Sequence, residues 1–282
     1  SLSLATALFS QGRTGDALDA FRRADEVYTR LGDELGQANV SWLTGEVLTR
    51  QGSFDAALHM FWQSHGSYAR LGDELGQANA MRGVGDVLVR LRRFDEALDA
   101  FGSAGDGFAL TGDGLGLANV WRGIGELLYD QRRNDEALTA FRKAGEGYTL
   151  VGAVLAHADA WRRIGEVESS ESRFDDAISS FRRADEVYAS VGWDPGRALV
   201  DTAMSEVAEA RGDHLEALRL MVDAACRERG CEAWHEWCVS IRRQAALLER
   251  LGRAEEAVAL RKTSADELEA RGLPELAQTL RS

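Results

Sequence analysis

The decapeptide RLGDELGQAN stands at Arg30–Asn39 and again, unchanged, at Arg70–Asn79, 40 residues further on. The same offset extends well beyond these two copies. Gly32, Gly72, Gly112, Gly152 and Gly192 obey it, as do Phe21, Phe61, Phe101, Phe141 and Phe181, and Ala17, Ala57, Ala97, Ala137 and Ala177. A fixed period without insertions means that each unit stacks on the next in the same way. Within a unit the apolar period is helical. Val120, Trp121, Ile124, Leu127 and Leu128 recur at three- and four-residue steps in Asn119–Asp130, and Ala137, Leu138, Phe141, Ala144 and Tyr148 do so in Asn134–Val151. Between these runs lies a polar turn, Gln131–Arg133, and the glycine closing each unit sits where a left-handed C-cap residue is expected. No segment shows sustained strand alternation. Each unit therefore reads as a helical hairpin, with roughly 17 residues per helix and a length of about 26 Å.

Small residues recur at set places inside these helices. Ala57, Ala97 and Ala137 allow the second helix to approach the first, and Gly45, Gly85, Gly125 and Gly165 mark the first helix. A glycine inside a helix costs about 1 kcal/mol relative to alanine. Its repetition at one register is expected where a neighbouring backbone comes close.

The chain has 282 residues, with 45% hydrophobic and 28% charged, an ordinary balance for a folded soluble protein. No apolar run approaches the roughly 18 residues of a transmembrane helix. A net charge of −13 disfavours a nucleic-acid backbone as partner. Lys143 and Lys262 are the only lysines, an arginine bias expected of a GC-rich bacterial genome. Three cysteines are too few for a disulfide framework, so a reducing cytoplasm is the expected location, with neither membrane nor cofactor implied. The first residue is Ser1 rather than Met, and the chain is expected to be a piece of a longer protein.

The spacing Trp-x2-Leu-Gly followed by Ala, Phe and Ala resembles the tetratricopeptide repeat. WRGIG at Trp121–Gly125 with Ala137, Phe141 and Ala144 carries the likeness, and so does WRRIG at Trp161–Gly165 with Ala177, Phe181 and Ala184. The unit here is longer than the common 34 residues and closes on Gly rather than Pro, which looks like the variant of Leu-Gly-Asn-repeat adaptors and bacterial sensor regions. HEAT and armadillo repeats share the length without the Gly/Ala/Phe spacing. The resemblance implies an all-α, right-handed superhelical solenoid of about seven hairpins (1–32, 33–72, 73–112, 113–152, 153–192, 193–230 and 231–272), with residues 273–282 as a capping helix. It is clear to about residue 229 and weaker beyond.

In such repeats the first helices line a concave face that binds partners. Three ladders map onto it here: Asn39, Asn79, Asn119 and Asp159; Trp42, Arg82, Arg122 and Arg162; and Glu46, Asp86, Glu126, Glu166 and Glu206. Amide columns can hold an extended peptide backbone, and arginines can select carboxylates. The blander expectation is that Arg82–Asp86, Arg122–Glu126 and Arg162–Glu166 simply pair along their helices. Trp62 has Arg22, Gly102, Arg142 and Arg182 as repeat equivalents and is a candidate convex contact beside Met60 and His59.

Two stretches break the pattern. In VESSES, Val167–Ser172, Glu168 replaces the leucine of Leu48, Leu88 and Leu128, and Asp201 replaces a tryptophan, so packing between the fifth and sixth units is expected to be weaker. The cluster Cys226, Cys231, His235 and Cys238 has the composition of a zinc site but neither Cys-x2-Cys nor a paired-His spacing, and is expected to be core rather than metal-binding. GVGDVL and GIGELL imitate a phosphate loop inside helical segments, with no preceding strand. No nucleophile–base pair stands out, so the chain is expected to be no enzyme. It reads as a scaffold binding a protein or extended peptide, in a larger bacterial regulatory protein. A ligand-sensing regulatory domain and a self-association module are the alternatives.

Overall fold

The computed structural model describes residues 2–281, and among these every regular element is an α-helix. The chain divides into two compact units, Ser1–Gly152 and Ala153–Ser282. The first contains α1 (Leu2–Ser10), α2 (Thr14–Leu31), α3 (Glu34–Arg50), α4 (Phe54–Leu71), α5 (Glu74–Arg90), α6 (Phe94–Thr111), α7 (Gly114–Asp130) and α8 (Asn134–Leu150). The second contains α9 (Val154–Ser170), α10 (Phe174–Ser190), α11 (Asp194–Ala210), α12 (His214–Gly230), α13 (Trp234–Arg250), α14 (Ala254–Ala270) and α15 (Pro274–Arg281). Odd-numbered helices are the first members of the hairpins and even-numbered helices the second. In the first unit α1, α3, α5 and α7 also touch one another in series, so the first helices form a layer of their own.

The decapeptide explains how one hairpin passes into the next. Gly32 takes a left-handed φ of 67°, and the Asp33 N–H donates to the Tyr28 carbonyl at 3.0 Å, closing α2. The Asp33 carboxylate accepts the Gly36 N–H at 2.8 Å and caps α3. Asp73 and Asp113 do the same for Gly76 and Gly116, both at 2.9 Å. Because the cap sits so early, α7 begins at Gly114 rather than at Asn119, where the apolar period starts. The extra turn carries an exposed leucine, Leu115, and therefore leaves no periodic signal.

The register glycines make room for rings rather than for backbone. A Cβ placed on Gly45 would lie 2.8 Å from the Phe61 ring, and one on Gly83 would lie 2.6 Å from the same ring. Phe61, fully buried on α4, is thus clamped between its own first helix and the next one. Phe101 is held in the same way between Gly85 and Gly123, each at 2.7 Å. Two helical glycines cost about 2 kcal/mol together, whereas burying a phenylalanine returns about 1.5–3 kcal/mol and links three helices. The expectation of close backbones is corrected accordingly.

In the second unit Gly165 faces the Phe181 ring at 2.6 Å, so the clamp recurs in part. The weaker packing expected around VESSES is not found. Ser180 Oγ donates to the buried Glu168 at 2.7 Å, and Arg227 donates to the buried Asp201 at 2.8 Å. Phe181, Tyr188, Val200 and Val207 form one cluster across α10 and α11 with Met204 against it. Each acid has acquired a partner, which removes most of the cost of its burial. At the far end α15 buries Ala277 and Leu280 against Trp237, Ile241 and Leu268.

Two glycines on successive helices should respond oppositely to the same substitution. A Cβ on Gly123 meets the Phe101 ring, whereas one on Gly102 meets nothing within 4 Å. Gly123→Ala should destabilise by about 1–3 kcal/mol through overpacking, and Gly102→Ala should stabilise by up to about 1 kcal/mol through helix propensity. Urea unfolding midpoints of the two variants check both signs.

Candidate binding face on the first helices

The asparagine ladder of the first unit is not uniform. Tyr68 on α4 donates its hydroxyl to Asn39 Oδ1 at 2.6 Å, and Tyr148 on α8 donates to Asn119 Oδ1 at 2.8 Å. Donor and acceptor are 29 residues apart in both cases. Counting the same step from Asn79 reaches Phe108, which has no hydroxyl. Asn79 Nδ2 donates to the Leu75 carbonyl of its own helix at 3.0 Å, and its Oδ1 accepts no bond among the described residues. The sequence presents three equivalent amides; the structure leaves one carbonyl of the three without a tyrosine.

The arginines are already engaged within the same face. Arg82 donates to Asp86 at 2.7 Å along α5 and approaches Glu46 on α3 at 3.6 Å. Arg122 donates to Glu126 at 2.8 Å along α7. Burial pushes the Glu46 and Asp86 carboxyls above the ordinary carboxylate range; Arg82 pulls both back, and Arg122 also pulls on Asp86. Pairs of this kind contribute only about 0–1 kcal/mol each where water reaches them. Trp42 departs from its ladder: it packs against Ala38, Tyr68 and Ala80, and its Nε1 is buried without a partner among the described residues.

In the second unit, the same register holds Asp159, Arg162 and Glu166 on α9. Tyr188 donates its hydroxyl to Asp159, and Arg162 donates to Glu166 while lying 3.8 Å from Asp159. Glu206 on α11 accepts from Arg243 at 2.8 Å. The tyrosine register then reaches Glu228 on α12, a departure visible in the sequence at the step of 40 but not singled out there. Glu228 is 7% exposed, and its Oε2 has no partner among the described residues. Burial pushes its carboxyl up to about 7; a hydrogen bond with Ser240 opposes this, and Glu236 and Asp201 add to it.

The remaining candidates lie apart from these ladders. Trp62 on α4 is 51% exposed and meets His65 edge-on, with ring centroids 5.8 Å apart. Cys226 and Cys231 are exposed and Cys238 is buried, and no three His, Cys, Asp or Glu among the described residues are grouped to hold a metal ion. A crevice of about 310 Å³ between the second helices of the first unit is floored by Leu98, Trp121, Ile124 and Leu128, and Lys143 covers the Trp121 ring at 3.9 Å. The phosphate-loop imitations lie inside α5 and α7. No helix among the described residues is long and apolar enough to cross a membrane.

Two sequence-family models match the chain, both described as tetratricopeptide repeat, one over residues 76–149 and the other over residues 2–61 and 122–190. No curated protein matches it. Many solved structures share the fold, among them the following three. A Rap protein complexed with competence and sporulation factor is 16% identical, with a TM-score of 0.64 over 89% of this chain and 74% of its own. The quorum sensor NprR from B. thuringiensis, in its apo form, is 14% identical, with a TM-score of 0.60 over 96% and 81%. A signal transduction ATPase with a tetratricopeptide repeat sensor, from Pyrococcus horikoshii, is 12% identical, with a TM-score of 0.73 over 92% of this chain but 39% of its own.

Glu228 sets a pH dependence for the second unit. Its carboxyl value rises from 4.5 to about 7 on folding, so the folded chain holds a proton that the unfolded chain has lost. Stability should therefore be greatest below pH 4.5 as far as this group is concerned, and should fall as pH rises towards 7. Glu228→Gln should flatten that slope and stabilise the protein at pH 8 by on the order of 2 kcal/mol. Thermal unfolding of both proteins across this range tests the sign.

Proposed function

The chain belongs to the tetratricopeptide repeat family, and from that premise we propose that it binds a protein or an extended peptide along the first helices of its first unit. The observation that carries this reading is the Asn79 carboxamide, whose carbonyl accepts no bond from the fold and stands in a column with Asn39 and Asn119. An amide that is oriented by one bond and open at its other end can accept a peptide N–H. Arg82, Arg122, Glu46, Asp86 and Glu126 flank it as pre-paired charges, and Trp42 supplies an apolar wall. Asp159, Arg162 and Glu166 repeat the arrangement within the second unit.

The scaffold acts without catalysis of its own, as part of a bacterial regulatory protein of the cytoplasm. A Rap protein that holds competence and sporulation factor, and the quorum sensor NprR, share the fold, and peptide recognition is the use we assign to it here.

Immobilised arrays of degenerate extended peptides provide the test. Asn79→Ala should lower the affinity of the peptides selected by the wild type by about tenfold, the effect of one lost hydrogen bond to a buried ligand. Phe108→Tyr should do the same by supplying the hydroxyl that occupies Asn39 and Asn119. Wild-type affinity in both variants, with helicity unchanged, moves the site off this face.

A further inference from the structure

The outward faces of α4 and α6 are complementary to each other. On α4 the exposed stripe runs through His59, Trp62, Gln63 and Arg70, with His65 half-buried beside Trp62. Trp62 is not required by the repeat, since Arg22, Arg142 and Arg182 stand in its place elsewhere. On α6 the equivalent stripe is bare at its centre, with Gly102 and Ser103 exposed and Gly105 half-exposed. Gly102 has an ordinary helical backbone, and a Cβ there would touch nothing within 4 Å. Packing inside the chain therefore gives no reason for a residue that costs its helix about 1 kcal/mol. Charge divides in the same way. Between Phe94 and Thr111, α6 carries Asp95, Glu96, Asp99 and Asp106 and no basic residue, whereas α4 carries Asp55 against Arg70 and two imidazoles.

We propose that this outer face joins two copies of the chain, with the Trp62 indole of each laid into the Gly102 trough of the other. A two-fold axis running along the helices between α4 and α6 sets each residue of α4 against its partner counterpart 40 positions on. Trp62 then meets Gly102, Gln63 meets Ser103, and His59 meets Asp99, with His65 beside Asp106. Such an interface is isologous: each contact occurs twice, so one tryptophan per chain gives two buried indoles at the centre. The glycine that the fold does not need becomes the floor of the hole. The indole that the repeat does not need becomes the knob. This face is built from second helices and is independent of the ladder on the first helices.

Sedimentation equilibrium of the chain from low to high micromolar concentration tests the proposal. The wild type should approach twice the chain mass. Trp62→Arg and Gly102→Arg, which restore the residue found at positions 22, 142 and 182, should each weaken association by at least about tenfold. Both should keep wild-type helicity, because arginine is already accommodated at this register. His59→Asp should weaken it too, and His59→Asp combined with Asp99→His should recover it, as a swapped pair must if the two side chains meet across the axis. A wild type that stays monomeric throughout overturns the interface. So does a dimer indifferent to both arginine variants, or a charge swap that fails to recover.

Discussion

The middle of the first unit depends on an aromatic ring being gripped between two backbones that have no side chain at the point of contact. Phe61 lies between Gly45 and Gly83, and Phe101 between Gly85 and Gly123. The ring sits on a second helix, and the two glycines sit on successive first helices. Each phenylalanine therefore closes its own hairpin and attaches the next one in a single contact. A 40-residue unit cannot bury both faces of its helices alone, and this contact is where it borrows from its neighbour. The Tyr28 and Tyr68 rings on Gly36 and Gly76 do similar work at the other end of the helices. The decapeptide is then legible as one device: a left-handed glycine to end a helix, an aspartate to start the next, a glycine to seat a ring and, in its first copy, an asparagine that receives a tyrosine hydroxyl.

Much of this was legible because repetition is a strong signal. The all-helical class, the hairpin pairing and the capping glycines all follow from the period of 40 and the 3.6-residue rhythm within it. The partner of each glycine was not legible. A sequence shows that a small residue is required, but rings and backbones ask for the same small residue. The start of each first helix was also hidden, since the cap and the first turn carry exposed residues without periodicity. The acids Glu168 and Asp201 misled for a related reason. Their hydrogen-bond donors, Ser180 and Arg227, lie 12 and 26 residues away, beyond the reach of local pattern.

For the candidate site, the sequence identified the columns but not their state. Asn39, Asn79 and Asn119 are the same residue at the same register, and what distinguishes them is a hydroxyl 29 positions downstream. The pairing of Arg82 with Asp86 along its helix is expected from the spacing of four, whereas its approach to Glu46 on the neighbouring first helix is not. A ligand gains little from a cation that is already paired, because any new ion pair must first replace the old one. The recognition proposed for this face therefore rests more on hydrogen-bond geometry than on net charge, and a net charge of −13 is a poor guide to such a ligand.

A repeat array becomes specific only where one copy departs from the others, because every conserved feature is present several times and so cannot mark a place. In the first unit the departures concentrate on α6. Its inner side carries Phe108 where the neighbouring units carry Tyr68 and Tyr148, and that missing oxygen leaves Asn79 open. Its outer side carries Gly102 where other units carry Trp62 or arginine, and that missing side chain leaves a trough. Neither absence is forced by packing: a tyrosine is accommodated at the first register in the adjacent hairpins, and a Cβ is accommodated at the second without contact. Both are losses of atoms from a helix that otherwise holds the fold through Phe101. A helix clamped on both sides by glycines can shed groups from its free surfaces without loosening the clamp, which is why α6 is where this scaffold can be given a position of its own.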